Sequence, residues 1–102
     1  MERKTIKVIV KRPGEEPESM TIPNTLEALQ GIVLGYIEVV RVASDMAIIC
    51  NEEGSYNGMP KNCRILGARF FGPLIFVGTK RNYFTDCPID EHFVRSMIQE
   101  EY

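Results

Sequence analysis

Met46-Ala47-Ile48-Ile49-Cys50 is the stretch of sequence that decides the fold. It is almost continuously apolar, and a short apolar run of this kind predicts a strand that is buried on both faces. Ser44-Asp45 forms a compact turn before it, and Asn51-Glu52-Glu53-Gly54 ends it abruptly with polar residues. We therefore expect this run to be a central strand of the sheet, with a polar loop leaving its end.

Other strands surround this central one in the sequence. Ile6 and Val8 face one side of the first segment, Lys7 and Lys11 face the other, and Ile9 interrupts the alternation. This pattern predicts a half-buried strand whose lysines lie in solvent. The segments that favour strands on similar grounds are Thr5–Lys11, Ser19–Ile22, Tyr36–Val42 and Leu74–Val77.

Two segments favour helices. Asn24 is a preferred N-cap residue and predicts a helix over Thr25–Leu34, which Gly35 ends. Gly31 inside this helix costs about 1 kcal/mol relative to alanine, which suggests a close approach of the helix to the sheet. A second helix is expected to begin at Asp90, because an apolar stripe at helical spacing follows it.

The remaining segments have little periodicity. Ser55–Ala68 reads as a loop with one helical turn near Lys61–Leu66, and Gln99–Tyr102 is expected to fray. The order ββαββ-β-α predicts an α+β fold, with a mixed, mainly antiparallel sheet of about five strands and two helices packed on one face. A chain of 102 residues is expected to form a single domain over 1–102.

Composition narrows the setting of the protein. The formal net charge is −2, so nucleic acid is not favoured as a partner. No apolar run approaches the roughly 18 to 20 residues that span a bilayer, and Met1–Lys4 does not open a signal-peptide core. Three cysteines without CxxC spacing favour reduced thiols, so we expect a cytoplasmic location and no membrane partner.

Charge and composition alone do not identify a binding partner. An exposed strand such as Thr5–Lys11 could pair with its symmetry mate and give a homodimer. A nucleic-acid-contacting accessory domain is an alternative that needs a local basic face. The residues available for such a face are Lys4, Lys7, Lys11 and Arg12 together with Lys80 and Arg81.

No complete catalytic constellation or metal motif stands out. His92 is the only histidine, and a Cys/His dyad would require tertiary contact with Cys63 or Cys87. Only Cys87 and His92 approach the spacing of structural zinc ligands, so no metal and no cofactor is expected. Glu52 and Glu53 are adjacent and point apart on an extended chain. A small hydrolase using these two carboxylates with His92 is an alternative, but the chain is interpreted as a non-enzyme.

The polar loop after the central strand is the best candidate for a binding site. Polar and aromatic side chains held at the end of a rigid strand can read the donors and acceptors of a ligand or partner. The other interpretation is a plain connector whose asparagines and glycines serve turn geometry. The candidate binding residues are Asn51, Glu52, Glu53, Tyr56, Asn57, Met59, Lys61 and Asn62.

A set of motifs along the chain resembles a known family. In order they are Asn24-Thr25-Leu26-Glu27-Ala28-Leu29-Gln30, Gly35-Tyr36-Ile37-Glu38-Val39-Val40, Ile49-Cys50-Asn51-Glu52-Glu53-Gly54, Gly58-Met59-Pro60-Lys61-Asn62 and Gly72-Pro73-Leu74-Ile75-Phe76-Val77-Gly78. Together they resemble a family of small proteins of unknown function that phages, plasmids and bacterial mobile elements carry. Leu34 departs from the pattern, because a glycine is expected there before Gly35.

The resemblance implies a setting but no active site. It implies an accessory protein that acts in the host cytoplasm as a non-enzymatic binder. An anti-defence role would follow if the binder blocks a host protein or sequesters a small nucleotide-type ligand.

Overall fold

The chain forms nine strands and two helices across residues 3–102, which are the residues that the computed structural model describes. Met1 and Glu2, the start of the segment expected not to open a signal peptide, lie outside the described residues. In chain order the elements are β1 (Thr5–Lys11), β2 (Glu18–Pro23), α1 (Leu26–Val33), β3 (Ile37–Ala43), β4 (Met46–Asn51), β5 (Lys61–Ile65), β6 (Ala68–Phe71), β7 (Leu74–Lys80), β8 (Tyr83–Thr85), α2 (Glu91–Met97) and β9 (Ile98–Glu101).

The strands form two sheets. The main sheet has the order β2-β1-β7-β4-β3, with β8 also paired to β7, and the small sheet has the order β6-β5-β9. All pairings within residues 3–102 are antiparallel. The α+β class with two helices and mainly antiparallel strands is therefore confirmed. The prediction of one mixed sheet of about five strands is wrong.

The central position of Met46–Cys50 is confirmed. Strand β4 lies between β3 and β7, and all six of its residues are buried. Ala47 and Ile49 face one core of the protein, whereas Ile48 and Cys50 face the other. The sheet is covered on both sides because its strands present apolar side chains in both directions.

The two helices lie on opposite faces of the main sheet, so the prediction that both pack on one face is wrong. Leu29 and Val33 of α1 lie in the core on the first face. Val94 of α2 lies in the second core together with Ile48 and Phe76, where the small sheet also packs. The small sheet and α2 together form the layer on this second face, and the prediction of a single five-stranded sheet did not include the small sheet.

The first helix differs in detail from its prediction. Thr25, not Asn24, is the N-cap, and its hydroxyl accepts a hydrogen bond from the amide of Ala28 at 3.1 Å. The side-chain amide of Asn24 donates instead to two backbone carbonyls, one before β1 and one in β8. Leu34 ends the helix with φ of 66°, in the left-handed region. Gly31 has open space at the position of a Cβ, so no close packing explains it.

The segment predicted as loop and helical turn, Lys61–Leu66, is instead a strand and the start of a hairpin turn. Leu66 and Gly67 join β5 to β6 with φ of 50° and 79°, as the tight turns of hairpins require. Strand β9 pairs with the other edge of β5, so Gln99–Tyr102 is not a frayed end. The expectation failed because a strand pairing between distant segments leaves no local pattern in either.

The interior position of β1 removes one predicted route to a dimer. Strand β1 pairs with β2 over Thr5–Val10 on one edge and with β7 over Ile9–Lys11 on the other, so neither of these stretches is free to pair with a second copy. The exposed edges of the main sheet belong to β2 and β3. Neither helix within residues 3–102 is long and apolar enough to cross a membrane.

Candidate functional site

Asn51 organises the start of the candidate loop. It is the last residue of β4 and is buried. Its side-chain nitrogen donates to the carbonyls of Val33 and Leu34 at 3.1 and 3.2 Å, which are among the carbonyls that a helix leaves unpaired at its end. Its side-chain oxygen accepts from the amide of Glu53 at 2.8 Å. Asn51 therefore ties the end of α1 to the loop, and its amide hydrogens are fully used within the fold.

Gly35 makes this contact possible. A Cβ at Gly35 would lie 2.6 Å from the side-chain nitrogen of Asn51, closer than real side chains approach. The missing side chain of Gly35 therefore leaves room for the side chain of Asn51. Leu34 takes the left-handed conformation that glycine usually adopts at the end of a helix.

Asn62 is also engaged within the fold. It is fully buried in β5, and its nitrogen donates to the carbonyls of Lys11 and Gly72, each at 2.8 Å. Its side-chain oxygen accepts from the ammonium of Lys11 at 3.0 Å. This amide therefore joins the two sheets, and it is not accessible to a ligand from solvent.

A buried lysine cluster surrounds this amide. The ammonium of Lys11, predicted to lie in solvent, is fully buried and lies 3.0 Å from the carboxylate of Glu101. Arg95 contacts the other oxygen of that carboxylate at 2.6 Å and also pairs with Glu16 at 2.7 Å. Burial alone would raise the pKa of Glu101, but hydrogen bonds from Lys11 and Arg95 outweigh it and hold the pKa below its usual value. The cluster fixes β9 to β1.

The loop between Asn51 and Lys61 is itself a series of hydrogen-bonded turns. Backbone bonds run from Asn57 to Glu53 at 2.9 Å and from Met59 to Gly54 at 3.0 Å. Met59 packs against Gly72, where a Cβ would lie 2.8 Å from its sulfur. The loop is thus held by its own backbone bonds and by contacts to the strands around it.

The exposed side chains of this loop lie beside an apolar pair from the end of α1. Tyr56 is 91% exposed, Tyr36 70% and Leu34 67%. A shallow cleft of about 220 Å³ is lined by Leu34 and Tyr36 on one side and by Glu52, Glu53 and Asn57 on the other, and Tyr56 directly precedes Asn57 in the chain. We call this surface the loop face; its residues are Leu34, Tyr36, Glu52, Glu53, Tyr56 and Asn57.

Besides Asn51 and Asn62, two more predicted site residues lie apart from the loop face. Met59 is half-buried under Gly72, and Lys61 is the first residue of β5, with its ammonium 5.7 Å from the centre of the Tyr102 ring. Sequence reasoning missed Leu34 and Tyr36, which come from the other side of the cleft. The sequence did contain one indication for Leu34, because a large apolar residue stands there at a position where the family pattern has a glycine.

A family model of a domain of unknown function, DUF3846, matches residues 6–100. The chain belongs to the DUF3846 family. No curated protein and no solved structure shows significant similarity to it. The match runs from β1 to β9, so both sheets and the loop face lie within the family's domain.

The thiols of this DUF3846 chain are held in their neutral form. Burial raises the pKa of Cys50 to about 11, with a further contribution from the nearby Glu38 carboxylate. Burial likewise raises the pKa of Cys63 to about 11 and raises that of Cys87. A thiol attacks as its thiolate, so none of the three is prepared for nucleophilic chemistry near neutral pH.

The other groups considered for chemistry are spread over the molecule. His92 lines a cleft with Glu16, Asp90 and Arg95, and that cleft contains neither Glu52 nor Glu53. Within residues 3–102 no three His, Cys, Asp or Glu side chains are grouped so as to hold a metal ion. The hydrolase alternative stays a prediction, without a shared cleft to support it.

Proposed function

We propose that this DUF3846 protein is a non-enzymatic binding module that recognises a protein partner through the loop face. The observation that carries the proposal is the exposure of Leu34 and Tyr36 after α1 and of Tyr56 in the loop after β4, because backbone hydrogen bonds hold both segments. Large apolar side chains on a rigid surface lose little entropy when a partner covers them. Tyrosine is also one of the residue types that are enriched among strong interface contacts.

A protein partner fits this surface better than a small molecule. The cleft of about 220 Å³ falls below the roughly 300–1,000 Å³ typical of pockets that enclose small ligands. The amides that could have read a ligand, those of Asn51 and Asn62, are already satisfied inside the fold. What remains is the exposed apolar area of Leu34, Tyr36 and Tyr56, with the carboxylates of Glu52 and Glu53 beside it.

The carboxylates of Glu52 and Glu53 define the chemistry of the partner. Both are exposed at the rim of the apolar area. Charges at an interface act mainly on association rate and on the choice of partner. The partner we propose therefore presents an apolar patch flanked by lysine or arginine.

The setting of this binding follows from the sequence resemblance. We propose a phage or mobile-element accessory protein that acts in the host cytoplasm, with a host defence protein as the partner class. A nucleotide-type ligand, a homodimer through an edge strand and a small hydrolase are the competing readings.

Affinity capture from a bacterial lysate tests the proposal. We expect the wild-type chain to retain a host protein that the Tyr36→Ala/Tyr56→Ala variant does not, because removal of two central aromatic contacts typically costs about 2 kcal/mol or more for each. Tyr83→Ala is the matched control, since Tyr83 is 43% exposed on β8, outside the loop face. It should retain the same protein.

The capture has two outcomes that would contradict the proposal. One is equal retention by the double variant and the wild type. The other is a native mass spectrum in which the wild type carries a small molecule that the double variant lacks, which would assign the loop face to a small ligand.

A further inference from the structure

A second surface, at the β7–β8 hairpin, concentrates positive charge. A cleft of about 270 Å³ there is lined by Arg3, Lys80, Arg81, Tyr83 and Thr85. Three of these five residues are cationic and none is acidic. Arg3 pairs at 2.6 Å with Asp86 beside the cleft, whereas Lys80 and Arg81 form no ion pair within residues 3–102. This positive cleft occurs on a protein whose net charge is −2.

Arg81 occupies this cleft at a conformational cost. Its φ is 57°, in the left-handed region that favours glycine in two-residue hairpin turns. The side chain is exposed, so burial does not compensate for the strain. Strained residues tend to occur at functional sites, where the side chain is needed in that place.

The remaining lining groups complement a phosphate-bearing ligand. Tyr83 exposes 43% of its surface and offers a ring on which a base can stack. The hydroxyl of Thr85 can donate to a phosphate oxygen, as can the guanidinium groups of Arg3 and Arg81. We propose that the hairpin cleft binds a phosphate group with an adjacent base, supplied by a nucleotide or by single-stranded nucleic acid.

This proposal is independent of the loop face. Gly78 of β7 pairs with Met46, the first residue of β4, and Lys80 lies two residues further on. The loop face follows Asn51, the last residue of β4. The two surfaces are therefore at opposite ends of the main sheet, and a variant of one leaves the other in place.

Fluorescence anisotropy with a labelled short oligothymidine at low ionic strength tests the proposal. We expect a dissociation constant on the order of 10⁻⁵ M or tighter, as for other sequence-independent binding. Arg3 is already neutralised by Asp86, so two cations, Lys80 and Arg81, are free to pair with a single strand, and the plot of log affinity against log salt should have a slope of about −1.4. No binding of either oligothymidine or adenosine monophosphate would overturn the proposal.

Competition identifies the source of the ligand. Displacement by adenosine monophosphate at a similar concentration supports a nucleotide, and displacement only by unlabelled oligothymidine supports a nucleic-acid strand. Equal displacement by inorganic phosphate would overturn the contact with a base. Tyr83→Leu should weaken oligothymidine binding about tenfold if the base stacks there.

Arg81→Gly separates a binding role from a structural one. Glycine relieves the left-handed strain, so the variant should melt at a higher temperature, yet it should bind oligothymidine at least about fivefold more weakly. Arg69→Ala, which removes an exposed positive charge from β6, is the control and should bind as the wild type does. Unchanged binding by Arg81→Gly would contradict the assignment of the cleft.

Discussion

Replacement of Glu101 by glutamine is expected to lower the free energy of unfolding by about 2 to 3 kcal/mol. The change leaves the fully buried ammonium of Lys11 without its counter-charge at 3.0 Å. Loss of one member of a buried pair typically costs about 3 to 5 kcal/mol. We expect less here because the Glu101 side chain is 38% exposed, so water can reach the pair. Urea denaturation of the two proteins measures the difference.

Two further variants make this result specific. Glu100→Gln removes the neighbouring, exposed carboxylate that pairs with Arg64, and it should change stability by less than about 0.5 kcal/mol. Lys11→Met combined with Glu101→Gln should recover part of the loss, because it removes the stranded charge. Equal stability of Glu101→Gln and the wild type would show that the lysine cluster does not hold β9.

The same pair makes stability depend on pH in a defined direction. The pKa of Glu101 is lower in the folded state than its usual value of 4.5, so its stabilising contribution is present above that value. The contribution is lost as the pH falls through the lowered pKa. The difference in unfolding free energy between the wild type and Glu101→Gln should therefore become smaller as the pH falls below about 4.5. Near neutral pH this difference should not vary with pH.

Replacement of Asn51 by alanine is the second large effect that we expect, at about 2 to 3 kcal/mol of unfolding free energy. The side chain makes three hydrogen bonds, to the carbonyls of Val33 and Leu34 and from the amide of Glu53. Its loss leaves these groups unpaired in a partly buried place. Asn51→Asp should be at least as harmful, because a carboxylate would then face two carbonyl oxygens. Thermal and urea denaturation give the values.

Asn57→Ala is the control for Asn51. It removes the same side chain from an exposed position in the same loop, and its effect should be within about 0.5 kcal/mol. Amide hydrogen exchange adds a local test, since the loop amides of Asn51→Ala should exchange faster while those of β1 stay protected. A neutral effect of Asn51→Ala would mean that the loop is not tied to α1 in this way.

The sequence predicted the parts of the fold that local pattern determines. The apolar run at Met46–Cys50 correctly indicated a central strand, because burial on both faces leaves no polar position in it. Ile9 interrupts the alternation of β1 because a second layer covers that face. Nothing local showed that Lys11, on the same face, would be buried, since its counter-charge comes from Glu101 in a distant strand.

The candidate site was predictable as a place but not as a set of contacts. The polar loop follows β4 as expected, yet Asn51 and Asn62 look the same in sequence as an exposed Asn57. Only the tertiary structure decides that the first two serve carbonyls within the fold. In the same way, Asn24 and Thr25 are both good N-caps, and the long-range bonds of Asn24 leave that role to Thr25.

Two leucines provide the most direct test of the loop face. Leu34 and Leu66 are each 67% exposed and each left-handed, but only Leu34 belongs to the loop face. Leu34→Gly and Leu66→Gly should therefore both stabilise the chain, by about 1 kcal/mol from relieved strain. The deciding measurement is the affinity of the two variants for the captured partner by titration calorimetry. We predict binding at least tenfold weaker for Leu34→Gly, about 1.4 kcal/mol, and wild-type affinity for Leu66→Gly. Equal affinity of the two variants would contradict the loop face as the recognition surface.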